Sequence, residues 1–216
     1  MKKKYIIFDF DGTLVNTNDV IVDSWQATFE HFLGCRKDRR EIEATFGETL
    51  YHTIEEKLPG KSYDEVCNYY RKWQDEHQEG RVYVFGGIRE LLQELRSRDR
   101  RIGIATSRTA YSFWNYMKQF GMENLVDEVV TMNDVTHHKP HPESITATLE
   151  KFGHGIDPAD VIMIGDTKYD IGCAGNAGID SVLVGWSHYI DEESLRLSGF
   201  TPTYRISKPE ELLEII

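Results

Sequence analysis

The chain has 216 residues, a formal net charge of −11 and 40% hydrophobic residues. This length suits one well-packed domain with room for a small insertion, and the composition is that of a globular protein. No run approaches the roughly 18 apolar residues of a membrane span, so we expect a cytoplasmic protein without a membrane partner. The negative charge disfavours a nucleic-acid partner, whose phosphates attract clustered Lys and Arg.

The first predicted element is a buried strand, residues 5–8, that leads into two carboxylates and a glycine turn. Asp9 and Asp11 are two residues apart and share one side of the chain if the extended geometry continues. At about 4 Å and an effective dielectric of about 20, two such charges repel by about 4 kcal/mol. Either a cation or a retained proton offsets this repulsion, or the pair belongs to an ordinary solvated turn.

Residues 18–78 carry several helix patterns and no convincing strand pattern. The first helix is predicted for about 18–34 and ends at a glycine, and further helices fit 39–45, 49–58 and 62–78. Because this block follows the acidic strand directly, it is expected to lie over the carboxyl end of that strand. We predict an all-helical cap at residues 16–84 and a core formed by residues 1–15 and 85–216.

From about residue 82 onward, short apolar runs alternate with amphipathic patterns, which is typical of strand–helix–strand units in a parallel sheet. Strands fit 101–106, 127–131, 161–164, 181–184 and 203–206, and helices fit 87–98, 111–120, 142–152, 169–177 and 209–216. The predicted fold class is therefore α/β: a Rossmann-like parallel sheet flanked by helices, with a small all-helical cap domain inserted after the first strand.

Polar side chains follow the predicted core strands, at the points where those strands end. Ligands of open parallel sheets bind beyond the carboxyl ends of the strands, so these groups are expected to converge on one crevice. Each alone has an ordinary explanation as a turn, cap or loop residue, but their convergence is difficult to explain by folding alone. The residues are Asp9, Asp11, Thr106, Ser107, Lys139, Asp166 and Asp170.

This arrangement resembles the haloacid dehalogenase superfamily, specifically its phosphatases with a helical cap after the first motif. The matching motifs, in chain order, are Asp9-x-Asp11-Gly12-Thr13, then Thr106, then Lys139, then Gly165-Asp166 with Asp170. The resemblance spans almost the whole chain. Within the superfamily, the chain looks most similar to phosphoglycolate phosphatases and related pyrophosphatases. The resemblance implies a hydrolase acting on a small phosphate ester or on pyrophosphate, as a monomer or weak homo-oligomer.

The resemblance also implies a role for each motif residue. Asp9 is expected to be the nucleophile that forms an aspartyl-phosphate, and Asp11 to protonate the leaving oxygen and later to deprotonate water. Thr106 and Lys139 are expected to be catalytic as well, by binding the transferring phosphoryl group and neutralising its charge. The full expected set of phosphate-binding residues is Gly12, Thr13, Thr106, Ser107 and Lys139.

Magnesium is the expected cofactor. A phosphate dianion cannot approach several carboxylates unless a divalent cation lies between them, and an all-oxygen site suits Mg²⁺ better than zinc. By resemblance, the metal-binding residues are Asp9, the backbone carbonyl of Asp11, Asp166 and Asp170. Of these, Asp170 is expected to orient a metal-bound water rather than to bind the ion directly.

Two other functions stay open at this point. A phosphosugar mutase of the β-phosphoglucomutase type keeps both acids of the first motif, but it carries a Glu-Asp pair where this chain has Gly165-Asp166. A catalytically silent binding or regulatory module is disfavoured because it has no evident need for both Asp9 and Asp11.

Three further features are left open by the sequence. Arg108 follows the second motif and either contacts a substrate anion or forms an ordinary surface salt bridge. The loop at residues 46–49 is expected to face the site from the cap. His137, His138 and His141 are more typical of a solvated loop than of a transition-metal site.

Overall fold

The computed structural model describes residues 3–187 and 192–216. Its main sheet has six parallel strands in the spatial order β5-β4-β1-β6-β7-β8. A second, two-stranded antiparallel sheet pairs β2 with β3. The strands are β1 (Tyr5–Phe8), β2 (Val15–Asn16), β3 (Tyr83–Val84), β4 (Arg101–Ala105), β5 (Glu128–Val130), β6 (Val161–Gly165), β7 (Asp180–Val184) and β8 (Tyr204–Ile206).

The α-helices flank the main sheet or form the block that follows β2. This α/β architecture, a Rossmann-like parallel sheet with flanking helices, confirms the predicted fold class. The helices are α1 (Asn18–Leu33), α2 (Arg39–Glu43), α3 (Leu50–Lys57), α4 (Tyr63–His77), α5 (Ile88–Ser97), α6 (Ala110–Gln119), α7 (Glu143–Phe152), α8 (Lys168–Ala177), α9 (Glu192–Ser198) and α10 (Leu212–Ile215).

Strand β1 is at the centre of the sheet and is buried on both faces. Ile6, Ile7 and Phe8 are fully buried, as an apolar run between two parallel neighbours requires. Phe8 is level with Ile104 of β4 and Ile164 of β6, so the residues that follow all three strands emerge side by side. The chain order reverses at β1, which is where open α/β sheets bind their ligands.

Helices α1–α4, here termed the helical insertion, have a hydrophobic core of their own. Val22, Trp25, Phe29, Ile54 and Val66 are among the buried side chains of that core. Asp38, Thr49 and Ser62 cap the starts of α2, α3 and α4 by accepting backbone N–H groups. The helices predicted for this part of the chain are thus confirmed, whereas the cap boundaries at residues 16 and 84 stay a prediction.

The strands β2 and β3 and the helix α9 were not predicted. Strands β2 and β3 are two residues each, too short to show the alternation that identifies a strand. They pair at the two crossings between the core and the helical insertion, and Asn16 Nδ2 donates to Tyr83 Oη there, 2.7 Å away. Among the residues that the structure describes, no helix is long and apolar enough to cross a lipid bilayer.

Candidate active site

Asp9 lies at the centre of a crevice at the carboxyl ends of β1, β4 and β6. Its backbone N–H donates to the carbonyl of Ile164 at 2.8 Å, which extends the pairing of β1 with β6 by one residue. Asp9 itself is only 5% exposed. The sheet therefore presents a carboxylate at a fixed position in a largely dehydrated site.

Lys139 joins two of the expected site residues. Its Nζ donates to Asp9 Oδ1 at 2.8 Å and to Asp170 Oδ1 at 2.6 Å. Burial alone would lower the pKa of the ammonium group, but the carboxylates of Asp170 and Asp9 outweigh it and raise the pKa above its ordinary value. Lys139 is therefore a fixed positive charge between two carboxylates.

Asp9, Asp166 and Asp170 form a buried acidic triad. One carboxylate oxygen from each lies within 4.8 Å of the other two. Burial, together with the nearby charges of Asp170 and Asp11, raises the pKa of Asp9 to about 7 against the opposing effect of Lys139. Burial, with the charges of Asp170 and Asp9, also raises the pKa of Asp166 well above its usual range.

The acidic triad fits a hard divalent cation. Its donors are carboxylate oxygens, which Mg²⁺ and Ca²⁺ prefer. Lys139 supplies one positive charge against the three carboxylates, and a divalent cation would offset the remaining repulsion. Asp9 and Asp166 could thus hold such an ion, and their metal-binding role stays a prediction.

Asp170 contacts the rest of the triad differently. Its Oδ2 accepts the backbone N–H of Thr167 at 3.0 Å and the Thr167 hydroxyl at 2.7 Å, which caps the start of α8. Its Oδ1 accepts from Lys139. With both oxygens engaged by the protein, Asp170 is suited to orienting Lys139 and a ligand of an ion, in agreement with the expected indirect role.

Asp166 is held by two hydroxyl groups. Ser187 Oγ donates to Asp166 Oδ2 at 2.8 Å, and Thr13 Oγ1 lies 3.3 Å from Asp166 Oδ1. Trp186 Nε1 donates to the Thr13 carbonyl at 2.9 Å and so anchors the same turn to the end of β7. The contacts of Trp186 and Ser187 were not expected, because neither belongs to a recognisable motif.

The turn after Asp9 requires a glycine for two independent reasons. Gly12 has a φ of +73°, in the left-handed region that other residues adopt at a cost. A Cβ at this position would lie 2.0 Å from Asp166 Oδ2. The absence of a side chain thus lets the backbone of the first motif lie directly against the acidic triad.

Asp11 faces a different environment from Asp9, two residues away. Arg108 donates to both of its oxygens: Nη2 lies 2.6 Å from Oδ1, and Nε lies 2.9 Å from Oδ2. Thr17 Oγ1 donates to Oδ1 at 2.6 Å. The two acids of the first motif therefore have different partners: Asp9 is paired with Lys139, and Asp11 is paired with Arg108.

Arg108 is buried, not a surface residue. Its side chain is 8% exposed and its guanidinium carbon lies 4.8 Å from the centre of the Tyr116 ring. Burial alone would lower its pKa, but the charge and hydrogen bonds of Asp11 raise it above the ordinary value. Of the two possibilities that the sequence left open for Arg108, the surface salt bridge is wrong.

The two hydroxyls of the second motif have different partners. Thr106 is 3% exposed, lies at the end of β4 beside Asp9, and accepts the backbone N–H of Arg108 at 3.1 Å. Ser107 Oγ donates to the carbonyl of Gly47 in the helical insertion at 2.8 Å. Thr106 thus lines the site as expected, whereas the Ser107 hydroxyl joins the core to the helical insertion.

A cavity of about 120 Å³ lies between the strand ends and the helical insertion. On the core side Asp9, Asp11, Thr106 and Asp166 line it, and on the other side the loop at residues 46–48 does. Glu48 Oε1 accepts the hydroxyl of Tyr169 at 2.6 Å. The expectation that this loop faces the site is therefore confirmed.

The histidines beside Lys139 stay outside the cavity. His137 and His141 are exposed, and His137 Nδ1 lies 2.8 Å from Glu143 Oε2. The carboxylate of Glu143 also accepts the backbone N–H groups of Thr136 and His137, which lower its pKa to about 2. Glu143 thus stabilises the loop that carries Lys139 by binding its residues Thr136 and His137.

Comparison with known proteins agrees with this geometry. The sequence profile described as haloacid dehalogenase-like hydrolase matches residues 6–184. The pyrophosphatase PpaX of Bacillus mycoides is 32% identical over 216 residues, which cover all of this chain and 98% of the relative.

Solved structures have the same fold over their whole length. A haloacid dehalogenase-like family hydrolase from Streptococcus pneumoniae has a TM-score of 0.81 at 26% identity, covering 99% of this chain and 98% of that one. A predicted phosphoglycolate phosphatase from Haemophilus somnus has a TM-score of 0.80 at 19% identity, covering 100% of this chain and 98% of that one. With the motif residues assembled in one crevice and the family profile matched across most of its length, the chain belongs to the haloacid dehalogenase-like hydrolases.

Proposed function

We propose that this hydrolase is a Mg²⁺-dependent phosphatase that transfers the phosphoryl group of a small metabolite, or of pyrophosphate, to water through an aspartyl-phosphate on Asp9. The observation that supports this most strongly is the position of Asp9. It is a buried carboxylate at the sheet centre, bound by Lys139 and within 4.8 Å of two further acids. Such a carboxylate is a nucleophile held in place before substrate arrives.

Asp9 and Asp166 would hold the magnesium ion together with the backbone carbonyl of Asp11, and Asp170 would orient a water bound to it. When bound, the ion neutralises negative charge and polarises the phosphoryl oxygens. Lys139 adds a fixed positive charge beside Asp9, and Thr106, with the backbone around Gly12 and Thr13, offers donors to the phosphoryl oxygens.

In the first chemical step, a carboxylate oxygen of Asp9 forms a bond to phosphorus. The bond from phosphorus to the leaving oxygen breaks, and that oxygen keeps the electron pair. Asp11 donates a proton to it, as a general acid. The products of this step are the free leaving group and phosphorylated Asp9.

In the second step, water attacks the phosphorus atom. Asp11, now a carboxylate, takes a proton from that water, and the bond between phosphorus and the Asp9 oxygen breaks. The electron pair returns to Asp9, inorganic phosphate is released, and Asp11 again carries the proton. Both steps balance without any oxidant or reductant.

Two observations support a small substrate. The cavity of about 120 Å³ is smaller than the engineered protein cavity of about 150 Å³ that accepts benzene. The Bacillus mycoides relative, 32% identical, is named a pyrophosphatase. Pyrophosphate is therefore the first substrate to test, followed by 2-phosphoglycolate and other small phosphate monoesters.

The decisive experiment measures inorganic phosphate released by the purified protein from a panel of pyrophosphate, metabolite phosphates and an aryl phosphate. We expect release that requires Mg²⁺ and is lost in excess chelator. A protein that releases no phosphate from any member of the panel, with Mg²⁺ supplied, would contradict the proposal. Conversion of a sugar phosphate into its isomer without phosphate release would instead support the mutase alternative.

A cytoplasmic location and a monomeric or weakly associating state complete the proposal. The oligomeric state can be measured by sedimentation at several concentrations, with and without Mg²⁺. A tight dimer at nanomolar concentration would contradict it.

A further inference from the structure

The cavity beside the acidic triad has polar groups that the mechanism above does not use. They come from α1 and α4 of the helical insertion and from the segment that follows β4. Each one carries N–H or O–H groups and lines this cavity together with Asp11. They are Asn18, Tyr70, Gln74, Arg108 and Ser112.

Asn18 is the group that most clearly lacks a ligand. It is 6% exposed and lines the cavity at the start of α1. Its Nδ2 atom is buried and has no hydrogen-bond partner among residues 3–187 and 192–216. Buried donors in folded proteins are nearly always paired, so this amide is a candidate donor to a ligand in the cavity that Asn18 lines.

Arg108 is the cation of the same region, and its partner is the acid that the mechanism must use. Nε and Nη2 donate to both oxygens of Asp11, and Nη1 donates to Ser112 Oγ. The hydroxyl of Thr17 also donates a hydrogen bond to Asp11 Oδ1. Because both oxygens of Asp11 accept from Arg108, a proton on either oxygen displaces one of these contacts, so Asp11 has to change partner before it acts as an acid.

The planar guanidinium group of Arg108 suits one kind of exchange. Its paired donors match carboxylate and phosphate oxygens equally well, so a substrate anion can replace Asp11 with the same geometry. A neutral leaving group offers no such replacement. The contact between Arg108 and Asp11 therefore distinguishes leaving groups by charge.

We propose that Arg108 and Asn18 form a subsite for an anionic leaving group, either a phosphate or a carboxylate, and that binding there releases Asp11 from Arg108. This inference rests on the proposed function and adds the class of substrate to it. Arg108 binds the non-reacting anionic oxygens, and Asn18 donates to another oxygen of the same group. Asp11, once freed from Arg108, takes up a proton from solvent and donates it to the leaving oxygen as the bond from that oxygen to phosphorus breaks.

The test compares kcat and KM for three substrates: pyrophosphate, 2-phosphoglycolate and 4-nitrophenyl phosphate. The leaving group of pyrophosphate is a phosphate, and that of 2-phosphoglycolate carries a carboxylate. The leaving group of 4-nitrophenyl phosphate is a phenolate that needs no proton. The variants are Arg108→Met, Arg108→Lys and Asn18→Leu. Arg39→Met is the matched control, because Arg39 is a half-exposed arginine of the helical insertion that pairs with Asp19 and Glu43.

For Arg108→Met we expect kcat/KM to fall by about 10- to 100-fold on the substrates with anionic leaving groups, which is the usual range for a lost charged hydrogen bond. On 4-nitrophenyl phosphate we expect a smaller loss, since the leaving group of that substrate carries no anionic group for Arg108 to bind. Arg108→Lys should restore part of the loss, because it keeps the charge without the paired donors. Asn18→Leu should raise KM for the same substrates with little change in kcat.

The substrates also identify the anion. Losses on both pyrophosphate and 2-phosphoglycolate support the subsite for either group, and a loss on only one of them supports it for that group alone. Equal losses on all three substrates, or no loss on any, would overturn the inference. Wild-type turnover of 4-nitrophenyl phosphate shows that the proposed phosphatase function holds even when the subsite inference fails.

Discussion

The two walls of the cavity differ in how they are built. The core wall consists of side chains at strand ends, among them Asp9, Thr106 and Asp166, which follow strands that are held in register by backbone pairing. The wall from the helical insertion consists mainly of side chains from α1, α3 and α4 and the loops between them, apolar ones such as Trp25 and Leu50 among them. In the proposed function, the first wall would supply the chemistry of the reaction, and the second would supply the shape that selects a substrate.

The two walls are joined by a few direct polar contacts. Ser107 Oγ donates to the Gly47 carbonyl, and Tyr169 Oη donates to Glu48. Each links a residue just after a core strand to the same short loop of the helical insertion. Substitutions on the core wall should therefore abolish turnover, whereas substitutions at these contacts should change substrate affinity.

The largest effect is expected for Asp9→Asn, which removes the nucleophile while keeping the side-chain shape. Turnover of every substrate should fall by roughly 10⁴ or more, as for other enzymes that lose their nucleophile. Phosphate release at saturating substrate measures this. Asp19→Asn is the matched control, since Asp19 is a mostly exposed acid of α1 whose change should leave the rate intact. Wild-type rates in Asp9→Asn would disprove the assignment of the nucleophile.

A smaller loss is expected for Asp11→Asn. Removing general acid–base help should lower kcat by roughly 10² to 10⁴ on substrates whose leaving oxygen needs a proton. The loss should be smaller on 4-nitrophenyl phosphate in the first step, which single-turnover release of nitrophenolate measures. An equal loss of that first-step rate on good and poor leaving groups would show that Asp11 only supports the structure.

Gly12→Ala tests whether the close approach of the first motif to the acidic triad is essential. We expect a loss of about 2–4 kcal/mol in the free energy of unfolding, because the new Cβ would meet Asp166 Oδ2 at 2.0 Å. Gly34→Ala is the control, with a φ of +71° but no neighbour within 4 Å, so it should cost only about 1–2 kcal/mol. Urea unfolding without metal measures both, and equal losses would contradict the contact argument.

The acidic triad should also make stability depend on pH and on magnesium. Burial raises the pKa of Asp9 from an ordinary 3.8 to about 7, and the pKa of Asp166 is raised too. The contribution of Asp9 to stability is therefore complete below about pH 4 and is lost as pH rises through 7, and that of Asp166 changes in the same direction. Magnesium favours the ionised carboxylates, so it should raise Tm more at pH 8 than at pH 5. Thermal unfolding with Mg²⁺ or chelator measures this, and a larger increase at pH 5 would contradict the assignment.

The smallest effect is expected at the contact between the two walls. Tyr169→Phe removes the hydroxyl that donates to Glu48 and should raise KM by about 2- to 10-fold, with kcat nearly unchanged. Tyr111→Phe is the control, because Tyr111 is 65% exposed on α6. A drop in kcat of the same size as the rise in KM would place Tyr169 in the chemical step instead.

The sequence predicts the core well because the structure there is local. Each buried strand is a short apolar run, and each motif residue comes directly after such a run, so a parallel sheet necessarily brings them to one edge. The prediction for the last helix, 209–216, is less accurate, since residues 209–211 form a 3₁₀ turn before α10. Proline and two glutamates there resemble an ordinary helix start, and nothing in the pattern distinguishes the tighter turn.

The partners of the site residues could not be predicted from their positions in the chain. Arg108 and Asp11 are 97 residues apart, Lys139 and Asp9 are 130 apart, and Ser187 reaches Asp166 from beyond β7. The family resemblance predicts that Lys139 pairs with Asp9, whereas no motif predicts the partners of Arg108 and Ser187. The unpaired amide of Asn18 has no sequence signal at all, because an asparagine at the start of a helix usually serves as its cap.

The pairing of β2 with β3 bears on how ligands enter and leave. Both crossings between the core and the helical insertion are held side by side by this pairing and by the bond from Asn16 to Tyr83. Because both connections meet at this one place, we expect the helical insertion to move relative to the sheet mainly by rotation about it. Such a rotation would leave the separate hydrophobic cores on the two sides intact, so it would require no local unfolding.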